Sequence, residues 1–314
     1  MSQTLTAPII TGTLTPRPPY DFAKTLAFMR GFSPTAGEQS LAGEAITKAV
    51  TLHGRAISFT LQGSGTISAP QIAYRIVSER PIDDDEHAII ADRIRFFLSL
   101  DDDLAPFYAL GQDDPAFAPI IARFYGLHHP KFLTPFEIAC WAILAQRIPM
   151  PVAHRVKLSL VERWGTSITL SYGTYRAFPE PDQLAQVSRS DLLAVVRNER
   201  KVDYLCAVID FFQGIDEQFL REGEYAQVAS RIRGIKGIGE WSSHFILVRG
   251  LGRMEQVSAT DRELAKAAAA IYNAGKPLST GTLQQIIDRY GRTQGYWAYY
   301  ARVASMRRMP ATEM

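Results

Sequence analysis

The chain has 314 residues, long enough for two or three domains with buried cores, and its 46% hydrophobic and 21% charged residues are an ordinary globular balance. Cys140 and Cys206 are the only cysteines, which excludes a disulfide framework and a cysteine-ligated zinc or iron–sulfur site. The formal net charge of +2 conceals a split: residues 1–230 carry 21 Lys plus Arg against 26 Asp plus Glu and residues 231–314 carry 13 against 6, so the tail is net +7 and suits contact with a polyanion.

The opening MSQTLTAPIITGTLTPRPPY has no basic segment followed by a long apolar run, so it predicts neither signal peptide nor membrane anchor and reads as a loose, Pro-rich start. No stretch reaches the ~18 apolar residues of a membrane span. The expected location is the cytoplasm, associated with the nucleoid, or the nucleus in a eukaryote. PYDFAKTLAFMR predicts a short helix with Phe22, Leu26 and Met29 facing inward. EAITKAVTLHGRAISFTLQGSGTI alternates and turns at Gly54 and at Gly63 to Gly65, as antiparallel strands do, and PQIAYRIVSE adds a strand. DDDEHAIIADRIRFFLSL predicts a helix burying Ile90, Ile94, Phe97 and Leu98. Residues 1–103 thus form a small α+β domain, whose acidic clusters Asp83 to Asp85 and Asp101 to Asp103 cap helices and solvate a face rather than bind metal.

From about residue 104 the periodicity is helical, with one helical subdomain over 104–230 and the remaining helices over 231–314. TPFEIACWAILAQ carries the clearest start: Thr134 as cap, Pro135 at the first position and Glu137 completing a capping box, followed by an apolar stripe of Phe136, Ala139, Ala142 and Ile143. Further helices are expected over 151–164, 181–187, 190–196, 201–212, 224–232, 241–249, 261–273, 280–290 and 295–306.

Gly234, Gly237 and Gly239 separate two of these helices, with Ile235 and Ile238 packing beneath the turn. Glycines permit positive φ and a close backbone approach, so the connection either exposes amides to a phosphate or is an ordinary tight turn. Arg231, Arg233 and Lys236 add cationic attraction. Asp261, in ATDRELAKAAAAIY, reads as a helix N-cap. If it also faces a cavity, it can stabilise a cationic sugar or orient water. Trp241 is either core, with Phe245 one turn on, or a pocket wall that stacks on a flat cationic ring, an attraction of about 0.5–2 kcal/mol. The six histidines show no HExxH or comparable spacing and predict no structural zinc; His128 and His129 adjoin Pro130 in a loop-like segment, and His244 lies three residues after Trp241.

The run GIGEWSSHFILVRG followed by LGRMEQVSATD resembles the helix-hairpin-helix DNA glycosylase superfamily, in its 3-methyladenine DNA glycosylase II branch. PYDFAKTLAFMRGF, TPFEIACWAILAQRI and YRAFPEPDQLAQV are similar to its opening, central helix and later connector, so the resemblance covers nearly the whole chain. It implies a TATA-binding-protein-like α+β N-terminal domain and a mainly α-helical body with the cleft between its subdomains. It makes Asp261 the catalytic carboxylate and Trp241 a wall of the base pocket, which Tyr296 and Trp297 are also expected to line. The hairpin Arg233, Gly234, Ile235, Lys236, Gly237, Ile238, Gly239 would hold the DNA backbone, with Na+ or K+ on the carbonyls of Arg233, Ile235 and Ile238 and no other cofactor. Strand-cutting relatives place a lysine where this chain has Trp241, so a monofunctional enzyme is expected. The expected partner is double-stranded DNA, bound by a monomer with no membrane contact.

The sequence also departs from the pattern. AILAQRIPM puts Arg147, followed by Ile148, at the wedge position where the family commonly has Leu. Thr260 replaces the usual Pro or small or acidic residue before the aspartate, and QGYW stands for the family's RSYA. Tyr296, Trp297 and Tyr300 therefore either remodel the pocket or pack in the core at helical spacing. Three readings remain: a monofunctional N-glycosylase for alkylated purines; a non-catalytic helix-hairpin-helix protein that binds DNA or recognises damage with a diverged pocket; and a helical protein-interaction scaffold, which predicts no salt-dependent DNA binding and no cavity at Asp261.

Overall fold

The computed structural model describes residues 8–35 and 37–306; the first seven residues of the opening segment and the last eight of the chain lie outside them. Within the opening, Ile9–Leu14 (β1) is a strand rather than a loose start, because its β-branched IITGTL run suits an extended backbone. Phe22–Gly31 (α1) follows, with Phe22, Leu26 and Met29 buried as predicted. Gln39–Ala42 (β2), Ala45–Leu52 (β3), Arg55–Thr66 (β4) and Ala69–Ser78 (β5) then complete an antiparallel sheet of five strands in the order β1-β5-β4-β3-β2. The turn expected at Gly63 to Gly65 falls later: both glycines are paired inside β4, and Gly65 takes φ +79° opposite Pro70, where a Cβ would meet the Ala69 carbonyl at 2.3 Å. Asp84–Leu98 (α2) buries Ile90, Ile94, Phe97 and Leu98 against this sheet.

Ala105–Gln112 (α3) and Ala118–Phe124 (α4) lead into Pro135–Leu144 (α5), which is buried on every side and not along one stripe. Thr134 caps it, its Oγ accepting the Glu137 amide at 3.1 Å, but the Glu137 carboxylate does not return to close a capping box. It accepts instead from Lys157 Nζ at 2.6 Å, on Met150–Trp164 (α6), and Lys157 also meets Glu38 at 2.6 Å. All three side chains are buried. Burial alone would raise Glu38, but Lys157 and then Lys48 overcome it and hold this carboxyl at about 2; for Glu137 burial wins and the shift is upward.

The body is not wholly helical. Thr166–Leu170 (β6) and Gly173–Ala177 (β7) form a hairpin that lays Ile168 and Ala177 against Ala49, Ala56 and Val77 of the sheet. Pro181–Ala185 (α7), Arg189–Val196 (α8), Glu199–Gly214 (α9) and Glu217–Glu222 (α10) follow, then Tyr225–Arg233 (α11), Glu240–Leu251 (α12), Arg262–Tyr272 (α13), Thr280–Asp288 (α14) and Gln294–Ser305 (α15). The two large cores do not follow chain order: the sheet, α1 to α4 and α13 to α15 bury one, while α5 to α12 bury the other. Phe32, after α1, touches both.

Candidate active site

The turn between α11 and α12 is built as its glycines suggest. Ile235 and Ile238 are buried beneath it, and the Ile238 amide closes it onto the Ile235 carbonyl at 3.0 Å. Gly237 takes φ +92° against the Tyr204 ring, where a Cβ would meet ring carbons at 2.3 Å, so backbone conformation and space both demand glycine. Arg233, Gly234, Lys236 and Gly239 are exposed, leaving cations and the start of α12 open to solvent. Gln146 Nε2 donates to the Gly237 carbonyl at 2.9 Å and ties the loop after α5 to the hairpin. Arg147, next in that loop, is exposed at φ +55°, and Ile148 is half-buried. The wedge candidates and the backbone hairpin are therefore neighbours.

Directly after the hairpin, α12 forms one wall of a cavity of about 540 Å³, within the ~300–1,000 Å³ range of small-molecule sites. The opposite walls come from Phe28 and Phe32, from His129 and from one face of α15, and the start of α13 brings in Asp261. Trp241 stands at its mouth, 60% exposed, stacked on Phe245 one turn later with ring centroids 5.3 Å apart and planes 8° from parallel. Its indole is thus a free stacking face and not core.

Asp261 caps α13, its Oδ1 accepting the Leu264 amide at 2.8 Å, while Arg302 donates to its Oδ2 at 2.7 Å. The carboxylate is fixed from two sides yet keeps 19% of its side chain exposed on the cavity wall. Deeper in, the Arg249 guanidinium lies 4.3 Å from the Phe32 ring centroid and 5.1 Å from that of Phe28, and its Nη1 meets His129 Nε2 at 2.9 Å. Burial, and then the Arg249 charge, push His129 well below the usual histidine range, so the ring is neutral and accepts this bond. Burial, with Arg302 nearby, brings the Arg249 guanidinium down to about 10, still charged at neutral pH.

The structure brings together Asp261, Trp241 and the hairpin, but not Tyr296 and Trp297. Tyr296 is turned away from the cavity and donates to Asp102 Oδ2 at 2.5 Å; Trp297 is fully buried against Tyr290 and Phe117, its indole donating to Tyr272 at 3.1 Å. Both belong to the core face of α15, as helical spacing allows. The face one position over, with Gly295, Ala298, Tyr299 and Arg302, lines the cavity. Arg249, Arg302, Tyr299, His129, Phe28 and Phe32 were not singled out from the sequence. The 295, 299, 302 spacing is a signal that could have found part of this wall. His244 does reach the cavity.

No family model matches the chain. It is 25% identical to the DNA-3-methyladenine glycosylase of Bacillus subtilis (strain 168) over 223 residues, 70% of this chain and 74% of that protein. The 3-methyladenine DNA glycosylase from Archaeoglobus fulgidus superposes with a TM-score of 0.75 at 20% identity, covering 93% of this chain and 97% of its own. The Clostridium acetobutylicum 8-oxoguanine glycosylase/lyase, in complex with dsDNA containing cytosine opposite 8-oxoG, gives 0.65 at 15% identity, over 96% of this chain and 98% of its own. The chain resembles helix-hairpin-helix DNA glycosylases, and among them the 3-methyladenine DNA glycosylases, along nearly its whole length.

Proposed function

We propose that the protein is a monofunctional DNA N-glycosylase that flips an alkylated purine out of double-stranded DNA and hydrolyses its N-glycosidic bond. The observation that carries this reading is the setting of Asp261, a carboxylate fixed by a helix cap and an arginine on the wall of an open cavity, with a stacking indole at the mouth. The alternative, Asp261 sealed in packed core, would have left no place for a base.

A base inside a duplex is out of reach, so it leaves the stack, and damage lowers that cost. The exposed hairpin, with Arg233 and Lys236, meets the phosphate backbone through amides and cations. The carbonyls of Arg233, Ile235 and Ile238 would hold a monovalent cation, which would supply positive charge for a phosphate; Ile235 O accepts one turn hydrogen bond and keeps a lone pair for it. Arg147 and Ile148, tied beside the hairpin through Gln146, fill the gap in the duplex. The flipped base stacks on Trp241. As the C1′–N9 bond breaks, Asp261 stabilises the sugar cation and water adds to C1′. Trp241, not a lysine, stands second in α12 at the mouth, so no amine attacks the sugar there. The N-terminal sheet is the TATA-binding-protein-like domain of this architecture, and the protein acts as a monomer.

The test is to incubate wild type and Asp261→Asn with alkylated duplex DNA and to identify released bases by mass spectrometry. The wild type is expected to release methylated purines, and Asp261→Asn to bind DNA without releasing them. Salt-dependent binding with no release by the wild type would replace the enzyme by a non-catalytic damage-recognition protein.

A further inference from the structure

The start of α9 lies against the hairpin. The Tyr204 ring is the surface on which Gly237 rests, and Lys201 Nζ, three residues earlier, donates to the Leu144 carbonyl at the end of α5 at 2.6 Å. With Gln146 bound to the Gly237 carbonyl, three segments far apart in sequence meet around this turn.

Arg200 stands on the same ring. Its Nε donates to the Tyr204 hydroxyl at 2.5 Å, and its guanidinium carbon lies 5.5 Å from the ring centroid. The side chain is exposed, yet Tyr204 sets its direction. Neither Nη atom bonds to a described residue, so a fork of donors stays open. The acids beside it do not cancel its charge: Arg189 takes Glu199 at 2.9 Å and Asp203 at 2.7 Å. Arg189 foremost, with the Lys236 charge adding to it, holds the Asp203 carboxyl below its usual range, which puts the hairpin lysine within electrostatic reach of α9. An exposed arginine is ordinarily a solvated charge. This one differs in its fixed direction, its open donors and the ring it shares with the hairpin.

We infer that Arg200 is a second DNA-backbone contact, whose Nη pair takes a phosphate of the same duplex beside the hairpin. This rests on the DNA-binding part of the reading above and adds a contact outside both hairpin and cavity. A planar guanidinium matches two phosphate oxygens with parallel donors. Phosphate contacts fix register and carry no sequence information, so Arg200 sets how the duplex lies across the hairpin and not which base leaves it.

The experiment measures binding to damaged and undamaged duplexes of one sequence as a function of salt, for wild type, Arg200→Ala, Arg200→Lys, Tyr204→Phe and Arg80→Ala, with Tm recorded for each. Arg80 is an exposed cation on the segment between β5 and α2 and controls for net charge. Arg200→Ala is expected to lower the slope of log K against log salt by about 0.9 on both duplexes, a loss of about eightfold at about 0.1 M salt. Its Tm should stay near wild type, and Arg200→Lys should recover the slope. Tyr204→Phe keeps the ring beneath Gly237 and is expected to keep the slope. An unchanged slope for Arg200→Ala, an equal loss in Arg80→Ala, or the full Arg200→Ala loss in Tyr204→Phe overturns the inference. Base release is scored separately: release of methylated purines by the wild type with any of those three results leaves the glycosylase reading intact. Absence of release removes that reading while the slopes still decide Arg200, and binding without salt dependence removes both.

Discussion

Arg302 Nη2 donates to Asp261 Oδ2 at 2.7 Å, joining the face of α15 to the cap of α13 across the candidate active site. Because the pair is partly solvated, it contributes little to stability, about 0–1 kcal/mol. Its role is to fix the direction of the carboxylate. Arg302→Ala is expected to slow single-turnover base release by about 10- to 100-fold, the scale of a misplaced catalytic group, with Tm nearly unchanged. Arg302→Lys, which keeps a donor, should recover most of the rate. A rate for the alanine variant within twofold of wild type would show that the cap alone orients Asp261.

Trp241 is exposed and, among the described residues, stacked only on Phe245, so Trp241→Ala is expected to change unfolding free energy by less than about 1 kcal/mol. Loss of a stacking platform is worth ~1–3 kcal/mol per base, or about 5- to 150-fold in affinity for the flipped nucleotide. Binding to damaged duplex, compared with undamaged duplex of the same sequence, isolates this term.

The hairpin predicts two different losses. Gly237→Ala strains a positive φ and drives a methyl group into Tyr204, at a cost of about 1–3 kcal/mol, and distorts the backbone hairpin, so denaturant midpoint and DNA affinity fall together. Lys236→Ala leaves the turn intact. It is expected to weaken binding equally for damaged and undamaged DNA and to lower the slope of log K against log salt by about 0.9.

Glu38 is held at about 2 by Lys157 and Lys48, against an ordinary 4.5. Its folded value lies below its unfolded one, so the stability it contributes is complete above about 4.5 and is lost as pH falls toward about 2. Glu38→Gln is expected to be less stable than wild type at pH 6 and to converge with it as pH falls through this window, as followed by urea midpoints. A constant gap between the two proteins from pH 6 to 3 would remove Glu38 from the acid response.

Much of this architecture was legible. The N-terminal helix and strands, the capped α5 and the glycine hairpin each announce themselves through periodicity or backbone demand, and Asp261 through its place at a helix start. The misses have physical causes. Glu137 has the spacing of a capping box, but a buried lysine from α6 competes for its carboxylate, and that partner is distant in sequence. The β6–β7 hairpin is short and stabilised by a sheet that ends at Ser78, far earlier in the chain, so local pattern gives it little weight. On α15 the bulky aromatics drew attention to Tyr296 and Trp297, yet size favours burial, and the cavity received the adjacent face. Arg249 looks like any surface arginine until Phe28, Phe32 and His129 arrive from the other end of the chain.

The cavity is a seam. Asp261 and Arg302 stand on elements anchored in one core, and Trp241 begins a helix packed mainly in the other. Its width is therefore a property of how two bodies rest on each other and not of either interior. Substitutions along that joint, at Phe32 above all, can retune which bases are admitted while each half stays as well packed as before.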